Sequence, residues 1–136
     1  MAETFLLRLL TPYTSLFNDE VEAVIVPGEG GEFGVLARHT KYVTVLAPGV
    51  LRYVKDGQTH KMAVSGGFAE ISPDGVTVLA DSMETPGDID VERAKQNRDE
   101  ALEKLKNKGS MEDKQVERWE DRLARAENRL KLARSA

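Results

Sequence analysis

Cysteine is absent from the 136 residues of this chain. That excludes a disulfide framework and cysteine-ligated zinc, and it fits a reducing compartment. Long apolar runs are missing too. None approaches the ~20 residues that cross a bilayer, so any membrane association is expected to come through a partner. The first residues, MAETFLLRLL, place an acid at Glu3 and an arginine inside the apolar run, unlike a signal peptide. They also lack the Arg/Ser-rich, acid-poor look of a transit peptide. Positive charge is in short supply, with 19 Lys and Arg against 23 Asp and Glu and a net charge of −4. No nucleic-acid footprint is expected from that balance. Histidine is scarce, with His39 and His60 the only two. Neither has a second ligand at metal spacing, and no Ser–His–Asp arrangement is visible. Catalysis by this chain alone is not expected, nor is a bound metal.

Proline and glycine are present but unevenly spread, and they divide the chain. Residues 88–136 hold no proline and a single glycine, and are dominated by Glu, Lys, Arg, Ala and Leu. Residues 1–84 are rich in Val, Gly and Thr. The first composition is helical and the second is β. Thr85-Pro86-Gly87 breaks the chain between them. A β domain over 1–85 and a helical domain over 86–136 are the expectation.

In the β part, strands are predicted near 3–10, 20–27, 32–36, 42–47, 49–55, 59–65, 67–72 and 75–81. Turn signals at Asn18-Asp19, Pro27-Gly28, Pro48-Gly49, Asp56-Gly57, Gly66-Gly67 and Pro73-Asp74-Gly75 separate them. Asp56-Gly57 is the strongest hairpin signal. Many short strands at this spacing predict a sandwich or a flattened barrel. The stretch Pro27–Pro48 concentrates glycines at 28, 30, 31 and 34 around Phe33-Gly34-Val35-Leu36. It does not read as a phosphate loop, because no Gly-Lys-Ser/Thr follows and Phe33 stands where a G-x-G-x-x-G frame needs glycine. A tight β corner is the expectation.

The helical part predicts an antiparallel hairpin. Its first helix spans about Asp90 to Lys106, with Asp88 or Asp90 as N-cap and a stop at Asn107-Lys108-Gly109. Val91, Ala94, Ala101, Leu102 and Leu105 form its inward stripe, with Arg98 falling inside it. The second helix is predicted from Ser110, where Ser110-Met-Glu-Asp113 resembles a capping box. Val116, Trp119, Leu123, Ala126, Leu130 and Ala133 make a seam stepping by threes and fours. Two helices bury little, so marginal packing is expected. Arg122, Arg125, Arg129, Lys131 and Arg134 outnumber the lone Glu127 beyond position 121. That excess fits first a solvated helix end, whose cations favour the C-terminus, and is large enough to keep open a basic arm for an acidic surface.

Five motifs occur in a fixed order. They are Gly31-Glu-Phe-Gly-Val-Leu36 with His39, Leu46-Ala-Pro-Gly-Val-Leu-Arg52, Val64-Ser-Gly-Gly-Phe-Ala-Glu70, Val76-Thr-Val-Leu-Ala-Asp81 and Ile89-Asp-x-x-Arg-Ala94. Together they resemble the epsilon subunits of the bacterial and chloroplast-type rotary ATP synthases. The resemblance implies a β-sandwich of about ten strands followed by two helices. It implies a non-catalytic rotor subunit that links the gamma subunit to the membrane c-ring. That subunit couples proton-driven rotation to ATP synthesis and lies peripherally on the cytoplasmic side of a bacterial membrane or the stromal side of a thylakoid. Glu32 and His39 map onto the family's c-ring contacts, although Lys41 replaces a proline common after that histidine. Arg122, Arg125 and Arg129 map onto a helix that inhibits ATP hydrolysis by meeting acidic segments of the alpha and beta catalytic subunits.

Some family members bind regulatory ATP. In this chain the corresponding residues are Glu84, Ile89, Asp90, Arg93, Ala94, Arg125 and Arg129. Glu100 stands where those members carry a further arginine, and its charge repels phosphate. Weak or absent ATP binding is expected, and no cofactor is required. Two other readings remain open on the sequence. One is an ATP sensor in which nucleotide binding is the main task; the other is an unrelated β-sandwich binding module.

Overall fold

The computed structural model describes residues 3–36 and 41–135, with backbone alone at position 135. Among the described residues the chain forms ten strands and two helices. The strands are β1 (Phe5–Leu10), β2 (Ser15–Val21), β3 (Ala23–Gly28), β4 (Gly31–Val35), β5 (Tyr42–Val45), β6 (Gly49–Lys55), β7 (Gln58–Ser65), β8 (Phe68–Ser72), β9 (Gly75–Leu79) and β10 (Ser82–Glu84). The helices are α1 (Val91–Leu105) and α2 (Asp113–Ser135). The chain divides into two compact units, Met1–Glu84 and Thr85–Ala136.

The strands make two five-stranded sheets, ordered β2-β1-β9-β8-β5 and β10-β7-β6-β3-β4. The pairings are antiparallel except β1 with β9, which run parallel with Leu6 opposite Gly75 and Leu10 opposite Leu79. Alternation along each strand sends one set of side chains inward. Leu7, Leu9, Ile71 and Val78 from the first sheet join Val24, Val26, Leu51 and Val64 from the second in one buried cluster. This is the sandwich that the turn spacing predicted.

Two strands escape the sequence pattern. Asn18-Asp19 is not a turn: both residues lie within β2, and the predicted strand over 20–27 is divided by a bend at Glu22. Pairing along β1 supplies β2 with backbone partners. Half-buried Phe17 and buried Val21 face inward, while Asn18 and Glu20 stay exposed on the other face. Polar side chains there cost the strand nothing. β10 is three residues long, too short to show a period, and it pairs with β7. The hydroxyls of Ser65 and Ser82 meet across that pairing at 2.8 Å.

The Gly66-Gly67 corner explains the second glycine pair of the sequence. Gly67 sits at φ 84°, and a Cβ built there would lie 1.9 Å from the Leu79 carbonyl oxygen. A side chain would therefore need both a left-handed backbone and space already filled by the main chain.

In the second unit α1 and α2 pack against each other, and a 3₁₀ turn at Pro86–Asp88 packs against α2. Asp90 caps α1, its carboxylate accepting the Arg93 N–H at 3.1 Å. Asp88 does not cap; its carboxylate accepts the Thr85 hydroxyl at 2.7 Å. Ser110 does not open α2 either. Its hydroxyl donates to the Asn107 carbonyl at 2.9 Å within a 3₁₀ turn at Lys108–Ser110, so α2 begins at Asp113. The Gln115 side chain accepts the Glu112 N–H at 3.1 Å, closing the start of the helix.

All six predicted seam residues of α2 are buried or half-buried. In α1 the stripe is narrower than predicted. Ala94 and Ala101 are buried, but Val91 is 37% exposed and Leu102 46% exposed. One step along a helix turns ~100° about its axis. Leu102 thus falls off the side that Ala101 occupies, and Val91 lies in the first turn.

Candidate functional site

The outer face of the first sheet is unusually apolar for a surface. Register carries a row of outward side chains straight across it: Val45 opposite Phe68, Phe68 opposite Leu79, Leu79 opposite Leu10. Val45 is 52% exposed and Phe68 42%. Val43 extends the apolar surface one step along β5. The next row across reads Arg8, Thr77, Glu70 and Val43. An apolar sheet face rimmed by charge marks a protein contact. The sequence signal for it was available: β1 reads Phe-Leu-Leu-Arg-Leu-Leu and β9 Val-Thr-Val-Leu, apolar on both parities. Such runs indicate a strand with both faces covered.

Glu32 lies on β4, on the outer face of the second sheet. Its carboxylate accepts the Arg52 guanidinium of β6 at 3.0 Å, both side chains remaining partly exposed. Phe33, pointing the opposite way, meets Tyr42 edge-on at 5.5 Å between ring centroids. His39 lies outside the described residues.

The helical unit carries most of the remaining sequence-derived residues. Ile89 and Ala94 are buried, Arg93 is exposed, and the Asp90 carboxylate is committed to its cap. Glu84 belongs to the other unit, on β10. On α2, Arg125 Nε lies 2.7 Å from Asp121 Oδ2, an i,i+4 pair. Arg129 is half-buried on the same helix. Arg122 stacks over the Trp119 ring at 4.9 Å, and Lys104 of α1 reaches the same ring at 5.8 Å. The Lys104 contact was not anticipated from the sequence, because it joins residues of two helices; the Arg122 contact is an i,i+3 neighbour within α2. Among the described residues, no group of His, Asp and Glu is placed to hold a metal ion, and no helix is long and apolar enough to cross a membrane.

Comparison with known proteins matches both units. The family described as ATP synthase, Delta/Epsilon chain, beta-sandwich domain covers residues 4–86, and its long alpha-helix domain covers residues 88–134. The ATP synthase epsilon chain of Desulforamulus reducens is 44% identical over 133 residues, spanning 98% of this chain and 99% of the relative. That of Geotalea uraniireducens is 42% identical over 136 residues, spanning 100% and 98%. Among solved structures, a chain of the Euglena gracilis mitochondrial ATP synthase (OSCP/F1/c-ring) superposes with a TM-score of 0.79 at 26% identity. It covers 92% of this chain and 78% of its own. A chain of the central stalk/c-ring assembly of Tetrahymena thermophila ATP synthase shares the fold, with a TM-score of 0.63 at 13% identity over 97% and 98% of the two chains.

Proposed function

This chain belongs to the delta/epsilon family of ATP synthase subunits, and from that premise we propose that it docks on the gamma subunit through the outer face of the first sheet. It is a non-catalytic subunit of the complex. Its task is mechanical: joining the stalk to the c-ring so that proton-driven rotation is coupled to ATP synthesis. The observation that carries the docking is the apolar row Leu10, Leu79, Phe68 and Val45. A row of this kind gains free energy when covered, at ~25 cal/mol per Å² of apolar surface removed from water.

The remaining contacts follow from the family and the charge distribution. Glu32 and His39 meet polar loops of the c-ring, and Arg52 holds the Glu32 carboxylate meanwhile. Arg122, Arg125 and Arg129 meet acidic segments of the alpha and beta subunits and restrain ATP hydrolysis. The chain lies on the cytoplasmic (or stromal) side and reaches the membrane only through the complex.

Regulatory ATP is the weaker proposal. Glu84, Ile89, Asp90, Arg93, Ala94, Arg125 and Arg129 would supply it. Asp90 is already occupied as a helix cap, and Glu100 is an exposed carboxylate on α1. Millimolar affinity or none is expected from titrating ATP onto the isolated subunit; micromolar affinity would favour the sensor reading.

The test of docking is Phe68→Asp. The side chain is an exposed one, so the sandwich is expected to fold with parental circular dichroism. Co-purification with the gamma subunit is expected to be lost. Parental binding by a folded Phe68→Asp chain would refute the docking face.

A further inference from the structure

A shallow cup of about 280 Å³ lies one row along the sheet from Leu10 and Phe68, on the same outer face. Leu6, Arg8, Glu70, Asp74, Gly75 and Thr77 line it. The floor is open because Gly75 has no side chain, and a Cβ there would come within 2.4 Å of the Leu6 carbonyl oxygen. Small-molecule pockets run to ~300–1,000 Å³ and are mostly enclosed and apolar. This one is smaller, open and walled by charge, which suits a single protruding side chain.

The charges decide which side chain. Arg8 and Glu70 flank Thr77 in one cross-strand row. Strands are spaced ~4.8 Å apart, so their backbones stand about 10 Å from each other. No ion pair joins them among the described residues. Asp74 stands at the lip, in the β8–β9 turn, with an exposed side chain. Glu20, opposite Leu6 on β2, is exposed on the same face. Two carboxylates therefore line the cup against one guanidinium, with Glu20 a third on the strand beyond Leu6.

We infer that the cup seats a lysine or arginine side chain of the gamma subunit, placed against Glu70 and Asp74 and kept to that side by Arg8, and that this fixes the register of docking. The inference rests on the docking face proposed above. An apolar row alone permits sliding along itself. A cation captured one row away, ~7 Å along the strands, permits a single position. Opposite charges at the edge of an apolar contact act chiefly on encounter rate and partner choice.

The experiment measures affinity of the full chain for the gamma subunit, with Glu70→Gln/Asp74→Asn, with Arg8→Gln and with Phe68→Asp, at low and high salt. The double variant is expected to bind about tenfold more weakly at low salt. The difference is expected to shrink on going from ~0.01 M to ~0.5 M salt, as the Debye length falls from ~30 Å to under ~10 Å. Arg8→Gln is expected to bind as tightly as the parent or tighter. Parental low-salt affinity in the double variant, or weaker binding by Arg8→Gln, would overturn the cation assignment. Loss of binding by Phe68→Asp alongside either of those results leaves the docking face standing; parental binding by Phe68→Asp removes the face and the cup together.

Discussion

Asp19 on β2 and Lys55 on β6 form an ion pair that joins the first sheet to the second. Both point inward from their strands, in step with Leu7 and Leu51 respectively. Beside them Phe17 packs on Tyr53 at 4.7 Å between centroids, and Tyr53 stacks on His60 at 4.9 Å. An inward charge on an edge strand is a common defence against edge-to-edge pairing. Here it also closes one flank of the sandwich.

The pair makes stability depend on pH at both ends of the scale. The hydrogen bond from Lys55, the Glu20 N–H and the Lys55 charge hold the Asp19 carboxyl below its ordinary range. That contribution is present above the unfolded value and is lost as pH falls through the lowered one. The hydrogen bond to Asp19 holds Lys55 above its ordinary range. Its contribution is present below the unfolded value and is lost as pH rises through the raised one. Urea midpoints of the parent and Asp19→Asn should therefore differ by a constant amount between roughly pH 5 and pH 9. The gap should narrow on either side. A gap unchanged down to about pH 2 would show that the pair contributes no charge-dependent stability.

Gly67→Ala tests the corner between β7 and β8. The substitution needs φ near 84° and moves the Leu79 carbonyl, so a loss of at least ~2 kcal/mol, or failure to fold, is expected. Gly30→Ala is its control. No atom lies within 4 Å of a Cβ at position 30, and a change within about ±0.5 kcal/mol is expected there. Thermal melts of the two variants against the parent check both outcomes.

Asp90→Ala removes the only side chain seen capping α1 among the described residues. A loss of about 0.5–2 kcal/mol in the helical unit is expected, with reduced helicity by far-ultraviolet circular dichroism at elevated temperature. Asp90→Asn keeps the acceptor oxygen and is expected to retain most of the stability. Equal losses in the two variants would assign the effect to charge and not to the cap.

Trp119 is the single tryptophan of the chain, so its fluorescence reports on the helical unit alone. Lys104→Gln and Arg122→Gln are each expected to lower the unit's stability by about 0.5–1 kcal/mol. Each should also shift the emission as one cation leaves the ring. Emission identical to the parent in both variants would contradict the cation–π assignment.

Most of the architecture was legible because it rests on local chemistry. Glycine pairs, Asp56-Gly57 and the three–four step of α2 each state a backbone requirement within a few residues. The misreadings share a cause. Asn18-Asp19 looks like a turn until β1 and Lys55 supply partners from elsewhere in the chain. Ser110 looks like a cap until the Asn107 carbonyl takes its hydroxyl. The proposed docking face was half visible: Leu6, Leu10, Val43, Val45 and Leu79 were in the sequence, but only register sets Val45, Phe68, Leu79 and Leu10 in one line. The cup was not visible at all, since it depends on which residues flank Gly75 across three strands.

The parallel pairing of β1 with β9 has a consequence for how the chain is made. β1 leaves the ribosome ahead of the other nine described strands, and its central partner is β9. At ~5–20 residues per second, roughly 3–14 s of synthesis separate Leu10 from Leu79. Through that interval Leu7 and Leu9 can find β2 but not the middle of their sheet. Pairings so distant in sequence form slowly. Because β9 lies between β1 and β8, the first sheet cannot be completed until β9 has been made.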